Sequence, residues 1–251
     1  MGGTATRYNR HISEQFNAEL EDVRQRVLAM GGMVEQQINR AVNAVLETDT
    51  GLAKQVIEDD HKVNGMEVFI DEECSRILAR RHPAASDLRL IIAIIKTITD
   101  LERIGDEAER VARMALDLAA LDFPRGPHRE IETLGQHVQG MLHDVLDAFA
   151  RMDADAALAV ARTDAKVDRE YEAVMRQCIT FMIEDPRSIS RVMDIVWSIR
   201  SLERIGDHAR NLAEYVIFFV HGKDVRHISL EEMEREVTGI VAQQAGESAA
   251  D

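Results

Sequence analysis

The chain is short of almost everything that builds sheets. Only four of its 251 residues are proline and 4% are aromatic, and no sustained stretch alternates apolar and polar residues in the Val-, Ile- and Thr-rich manner of a half-buried strand. That scarcity argues against sandwiches and barrels and leaves an all-α chain. Cysteine is scarce too. Cys74 and Cys178 lie among heptad-spaced apolar residues, so both are expected to be free thiols buried in a core. The longest apolar runs, Leu90 to Ile95 and Tyr215 to Val220, fall far short of a bilayer span, and no basic segment leads into an apolar one at the start. A cytoplasmic protein with no direct membrane insertion is expected. Positive charge is outnumbered, with 30 Lys and Arg against 45 Asp and Glu for a net charge of −15. Direct grip on nucleic acid or anionic lipid is therefore disfavoured, because phosphate backbones are bound by clustered cations.

What is present is a duplication. The string Leu-Glu-Arg-Ile-Gly-Asp runs from Leu101 to Asp106 and again from Leu202 to Asp207. The same shift of 101 residues lays Ile94, Ile98, Ala108 and Ala112 on Ile195, Ile199, Ala209 and Ala213. A shift of 104 aligns the preceding segment, where Asp49, Val56, Asp60, Val63 and Cys74 meet Asp153, Val160, Asp164, Val167 and Cys178. The change of offset marks a connection near Pro83 and Pro186 that is shorter in the second copy, so the matched segments are separate helices. A period near 100 residues suits two related bundles rather than a solenoid.

Each copy reads as three antiparallel helices. The first runs from about Ser13 to Glu47, and from about Arg129 to Met152 in the second copy. Val63, Ile70 and Ile77, and their counterparts Val167, Val174 and Phe181, form apolar stripes at heptad spacing that a bundle would bury. Asp49 and Asp153 are placed to cap the second helices, and Ser86 and Ser188 to cap the third. The predicted layout is a first three-helix repeat over 10–121, a linker over 122–128 around Phe123-Pro124-Arg125-Gly126-Pro127, a second repeat over 129–221 and a tail over 222–251. In the tail, Ser229-Leu230-Glu231-Glu232 has capping-box spacing and opens a short helix, while Gly246 to Asp251 should fray. The expected fold is thus two tandem three-helix bundles in one elongated helical chain.

The duplicated string carries carboxylates. Glu102 and Asp106 share a helix face, as do Glu203 and Asp207. Carboxylates at this spacing repel by roughly 0.2 to 0.5 kcal/mol in an isolated helix, a cost that a bound cation would reverse. The bland alternative is that Arg103 and Arg110 bracket Asp106 and neutralise it. Each second helix adds another pair at the same spacing, Asp60 with Asn64 and Asp164 with Asp168. If the second and third helices are antiparallel neighbours, each repeat gathers four oxygen-bearing side chains, a donor set suited to hard cations. Gly105 and Gly206 cost about 1 kcal/mol each against alanine in a helix, which implies close approach there by a neighbouring helix or around an ion.

These residues resemble the PhoU family, the phosphate-signalling accessory proteins of bacteria. The match rests on Asp60-His61-Lys62-Val63-Asn64, Pro83 with Asp87-Leu88-Arg89, the segment Thr99 to Asp106 and its copy Ser201 to Asp207, and the ending Gly222 to His227. The resemblance implies a non-enzymatic, dimeric adaptor of two three-helix bundles. It implies a regulator that links the ATPase subunit of an ABC phosphate importer to a sensor histidine kinase, peripheral at the inner membrane through those partners. It also implies metal ions, Fe, Mn, Mg or Zn, held by Glu102, Asp106, Asp60 and Asn64 in the first repeat and by Glu203, Asp207, Asp164 and Asp168 in the second. Asn64 makes the first set less anionic and is expected to weaken it, and Asp100 stands where the second repeat has Ser201, so the two sites need not be equivalent. Arg103 and Arg204 raise direct phosphate binding as a lesser alternative.

Two rival readings remain. A ferritin-like di-iron protein uses carboxylates in a helical bundle but needs two Glu-x-x-His motifs, and only Glu58-Asp59-Asp60-His61 fits, since its counterpart is Arg162-Thr163-Asp164-Ala165. His208, which Glu107 replaces in the other copy, is expected to be a surface or packing residue. A purely structural helical scaffold would explain the shared carboxylates by ancestry alone.

Overall fold

In a computed structural model of the chain, residues 3–81, 83–120 and 128–248 are described. They form α1 (Gly3–Glu47), α2 (Thr50–Arg81), α3 (Ala85–Ala119), α4 (His128–Arg151), α5 (Ala154–Glu184), a 3-10 turn (Pro186–Ser188), α6 (Ile189–His221) and α7 (Leu230–Ser248). No strand occurs among the described residues. Helices α1, α2 and α3 pack together as the first repeat and α4, α5 and α6 as the second, while α3 lies along α6 and α1 against α4. The expected linker over 122–128 and the last residues of the tail fall largely outside the described residues.

The apolar stripes explain the helices. In α1, Leu20, Val23, Val27, Met30, Val34, Ile38, Ala41 and Val45 recur at steps of three and four and are all buried. Its 45 residues, at about 1.5 Å each, make a rod of roughly 68 Å, which gives the chain its elongated axis. Helices α1 and α4 cross as near mirror partners in sequence. A Cβ on Gly31 would meet Leu146 Cδ1 at 2.6 Å, and a Cβ on Gly135 would meet Val42 Cγ2 at 2.8 Å. The shift of 104 that relates Gly31 to Gly135 also relates Val42 to Leu146, so each helix offers a glycine hollow that the other fills.

Local chemistry sets the corners. Thr48 and Met152, equivalent residues, both adopt left-handed backbone (φ 56° and 54°) just before the capping aspartates. Asp49 Oδ1 accepts hydrogen bonds from the amides of Gly51 and Leu52, both at 2.9 Å, and Asp153 Oδ1 accepts from Ala156 at 2.9 Å. Ser229 and Glu232 make the reciprocal capping box, the Ser229 amide donating to Glu232 Oε2 at 3.0 Å and the Glu232 amide to Ser229 Oγ at 3.2 Å. The helix so opened packs on α5 through buried Met233 and Val237 and an Arg162–Glu234 ion pair of 2.6 Å.

Other expectations need correction. Helix α1 starts at Gly3 rather than Ser13, and helix α7 carries through Gly246 to Ser248. Ser86 does not cap α3, because the helix has already begun and Ala84 holds the cap position. Ser188 does hold the cap position of α6 but makes no side-chain capping bond; its hydroxyl donates back to the Asp185 carbonyl, and Asp185 caps the 3-10 turn by accepting from the Arg187 amide. Phe181, expected inside, is 46% exposed, whereas its counterpart Ile77 is buried. The cause is the first helix of each bundle: α1 passes Leu20 and clamps the end of α2 through a Glu19–Arg81 pair of 2.8 Å, but α4 begins only at His128, the counterpart of Arg24. Cys74 and Cys178 are free and buried, and burial pushes their thiols up to about 12 and about 11.

Candidate functional site

Antiparallel packing of α2 on α3, and of α5 on α6, sets the predicted carboxylate pairs on facing helices, and among the described residues those of the second repeat converge. In the second repeat, oxygens of Asp164, Asp168 and Asp207 all lie within 4.8 Å of one another. Glu203 stands beside them, its carboxyl raised above the ordinary value by burial and then by the negative charges of Asp207, Asp168 and Asp164. Burial also raises Asp207, with Asp168 adding to the effect. In the first repeat, burial raises Glu102 and Asp106, and Asp60 adds to both. Glu67 joins that field from α2, a residue not singled out from the sequence, and it accepts from the Thr99 hydroxyl at 3.3 Å. Burial is the larger cause in each case, and the neighbouring carboxylates add to it.

The glycines make the approach possible. A Cβ on Gly105 would lie 3.2 Å from Gln37 Oε1 and 3.3 Å from Asp60 Oδ1. On Gly206 it would lie 3.3 Å from Val167 Cγ1 and 3.8 Å from Asp164 Oδ1. Both hollows therefore receive the buried aspartate of the neighbouring helix, and close helix packing and the carboxylate cluster are one feature.

The buried aspartates differ in their partners. Asp60, 7% exposed, accepts from two neutral amides, Gln37 Nε2 at 3.2 Å and Asn64 Nδ2 at 3.1 Å. Asp164, 2% exposed, accepts instead from the guanidinium of Arg210 at 3.0 Å, which also lies 3.5 Å from Glu214. The sequence marks this difference only as breaks in the repeat: Arg210 stands where the first copy has Glu109, and Gln37 where the second has Met141. The alternative in which Arg103 and Arg110 neutralise Asp106 holds only in part: the charge of Arg110 lowers the Asp106 carboxyl, but neither arginine pairs with it directly. Arg103 lies 3.6 Å from Asp100 and Arg110 is 2.7 Å from Glu107, because α3 turns those carboxylates toward α6.

Among the described residues, three buried side-chain oxygens have no hydrogen-bond partner: Gln37 Oε1, Asn64 Oδ1 and Asp164 Oδ1. A buried acceptor left without a donor is costly, and in an all-oxygen setting a hard cation would satisfy it. Among the described residues, three carboxylates converge closely enough to share a cation in the second repeat, at Asp164, Asp168 and Asp207; those of Asp60, Glu102 and Asp106 do not. His61 is exposed and bonded to the Glu58 carbonyl, so the lone Glu-x-x-His spacing contributes nothing to either cluster.

A third polar centre lies at the seam between repeats. Asp100, 1% exposed, accepts from Tyr215 Oη at 2.7 Å and Asn211 Nδ2 at 3.4 Å, and lies 2.7 Å from His208 Nδ1. Burial alone would raise its carboxyl, but the bonds from His208, Tyr215 and Asn211 outweigh it and hold it low. Beside it, Glu107 on α3 pairs with Arg204 on α6 at 2.9 Å. His208 is thus the packing residue of the two roles expected for it, and it joins the two bundles.

Comparison with known proteins gives a consistent result. The PhoU domain model matches residues 27–115 and 131–216, one match per bundle. A Pseudomonas aeruginosa protein named phosphate-specific transport system accessory protein PhoU homolog is 62% identical over 228 residues, covering 90% of this chain and 94% of its own length. The Escherichia coli phosphate-specific transport system accessory protein PhoU is 50% identical over 235 residues, covering 92% and 95%. The crystal structure of PhoU from Pseudomonas aeruginosa superposes with a TM-score of 0.81 at 60% identity, covering 83% of this chain and all of that one. A phosphate transport system regulatory protein PhoU from Streptococcus pneumoniae superposes at 0.78 with 30% identity, covering 84% and 99%.

Proposed function

The chain belongs to the PhoU family, and on that premise we propose that it is a non-enzymatic regulator of phosphate uptake and phosphate-starvation signalling. It links the ATPase subunit of an ABC phosphate importer to a phosphate sensor histidine kinase, and keeps starvation genes silent while phosphate is plentiful. The observation that carries this reading is near full-length similarity, at 50% identity and above, to proteins named accessory to phosphate-specific transport. It acts in the cytoplasm, peripheral at the inner membrane through its partners. No helix among the described residues is long and apolar enough to cross a membrane, which fits a peripheral role.

The duplicated carboxylate clusters are its metal sites. Asp60, Asn64, Glu102 and Asp106 hold one ion, and Asp164, Asp168, Glu203 and Asp207 the other, with Fe, Mn, Mg or Zn as the candidates. Oxygen donors favour the harder ions among these. Bound there, a divalent cation supplies the positive charge that the raised carboxylates lack. The protein forms a homodimer, for which the exposed Ile179, Phe181, Ile183 and Ile189 at the α5–α6 end supply apolar surface; Ile183 alone is 75% exposed.

The test is genetic. Deleting the gene should switch on a starvation-promoter reporter in phosphate-rich medium, and wild-type protein should silence it again. A variant with Glu102, Asp106, Glu203 and Asp207 all changed to Ala, shown to fold by circular dichroism, should leave the reporter on. A reporter that stays off in the deletion strain would overturn the regulatory reading. Silencing by the folded quadruple variant would reduce the clusters to scaffold.

A further inference from the structure

The two carboxylate clusters are chemically unlike at one position. In the second, Arg210 donates to Asp164 at 3.0 Å and lies 3.5 Å from Glu214; in the first, the equivalent position is Glu109, and the buried aspartate has only neutral donors. Arg210 is about one-third exposed, while Asp164 and Glu214 are nearly closed to solvent at 3% and 9%. The other oxygen of Asp164 is buried without a partner, and that oxygen is the one near the hollow at Gly206. Asp168 and Asp207, which complete the triad, are exposed. The second cluster thus has one acidic centre with a guanidinium on one Asp164 oxygen and no donor on the other.

We propose that Arg210 is the resident counter-cation of the second cluster and competes with a divalent metal for Asp164, so that metal binding draws it away toward Glu214. The inference rests on the metal reading given above. Arg210 has somewhere to go. Glu214, one helical turn along α6, faces a cavity of about 540 Å³ lined by Arg204, Asp207, Arg210, Tyr215 and, from the segment after α6, Arg226 and His227. Moving the guanidinium from Asp164 to Glu214 keeps it paired and shifts positive charge toward that segment. Occupancy of the second cluster is in this way tied to the charge at the C-terminal end of α6. In the first repeat no cation sits on Asp60, so no such exchange arises there.

The experiment is a calorimetric titration with Mn²⁺ in an Asp60→Asn background, so that the second cluster alone reports, comparing Arg210 with Arg210→Gln and Arg210→Lys. Removal of the guanidinium should tighten Mn²⁺ binding by about tenfold or more, the worth of a half-buried ion pair that no longer has to break. Lysine should stay near the starting affinity. Thermal melting gives a second readout: Arg210→Gln should melt lower than its parent in chelator and recover in Mn²⁺, which replaces the missing charge on Asp164. Equal Mn²⁺ affinity in all three proteins would overturn the exchange while leaving the metal reading intact. An Arg210→Gln protein that Mn²⁺ cannot rescue would make Arg210 a structural residue and overturn it as well. If Mn²⁺ binds none of the three, nor the protein with Asp60 intact, the metal reading itself falls, and the exchange with it.

Discussion

The first repeat answers its buried aspartate with neutral amides, and the second answers the equivalent aspartate with a cation. Duplication gave both repeats the same helices, the same glycine hollow and the same facing carboxylates; divergence changed which group sits on Asp60 and which on Asp164. Burial raises carboxylates in both clusters, the one with a resident arginine included, and leaves each with a demand for positive charge. Where an arginine meets part of that demand, the cluster holds together without a metal and pays by having to exchange partners to accept one. Formal charge alone ranks the sites the other way, since Asn64 leaves the first set with fewer carboxylates. Counting the arginine brings the second set level with the first, so the difference lies in the cation already bonded to Asp164. A fold built by repetition can therefore carry two sites of one design and different readiness.

The comparison can be broken first at the seam. Asp100 has four neighbours that donate to it or pair with it, whereas Ser201 holds the equivalent place in the other repeat. Asp100→Ala should cost about 3–5 kcal/mol in urea unfolding, because buried His208 and part-buried Tyr215 are left without their acceptor. Ser201→Ala should cost less than about 1 kcal/mol. Equal costs would mean that the asymmetry of the seam carries no energy.

Next comes pH. Burial raises the Glu214 carboxyl from 4.5 to about 7, so the folded protein holds this proton more tightly than the unfolded chain does. The sign follows: stability from this group is full below about 4.5 and is lost as pH rises through 7. The loss is up to roughly 3 kcal/mol. Glu214→Gln should flatten the stability profile between pH 5 and pH 8, on the order of the change set by that window, and be the more stable protein at its alkaline end. A profile unchanged by the substitution would show that Glu214 is not the titrating group. No counterpart is expected from Arg113, which holds the same place in the first repeat.

The glycines separate the repeats more gently. An alanine at 105 presses on two oxygens, and should cost about 1–2 kcal/mol despite its better helix propensity. At 206 the nearest atom is a valine methyl at 3.3 Å, and there the propensity gain of about 1 kcal/mol should offset the crowding. Thermal melts of the two variants decide it, and a Gly206→Ala loss as large as that of Gly105→Ala would remove the distinction. The smallest effect is a control in which the repeats should agree: Asp49→Ala and Asp153→Ala each remove one helix cap and should each cost about 1 kcal/mol. A clear difference between them would show that the repeats diverge in their corners as well as in their sites.

Much of this was legible in the sequence, and the limits have physical causes. The carboxylate pairs and the caps at Asp49, Asp153 and Ser229 depend on spacing along one helix, which a sequence displays directly. Gln37 reaches Asp60 from a different helix, and Gly31 meets Leu146 across the two repeats, so no local period announces either contact. Phe181 followed the heptad rule and was exposed all the same, because burial depends on a facing helix that starts too late. Arg210 and Asp100 left a visible trace, as charge changes between aligned repeats. What such a break does becomes clear only once the partner across the helix interface is known.

The most direct test of unequal readiness is anomalous diffraction from crystals grown with about one equivalent of Mn²⁺, an ion of the class these oxygen donors favour. The account predicts the manganese peak among Asp60, Asn64, Glu102 and Asp106, with Arg210 still on Asp164 in the second repeat. A peak appearing first among Asp164, Asp168, Glu203 and Asp207, with Arg210 in place beside it, would contradict the account.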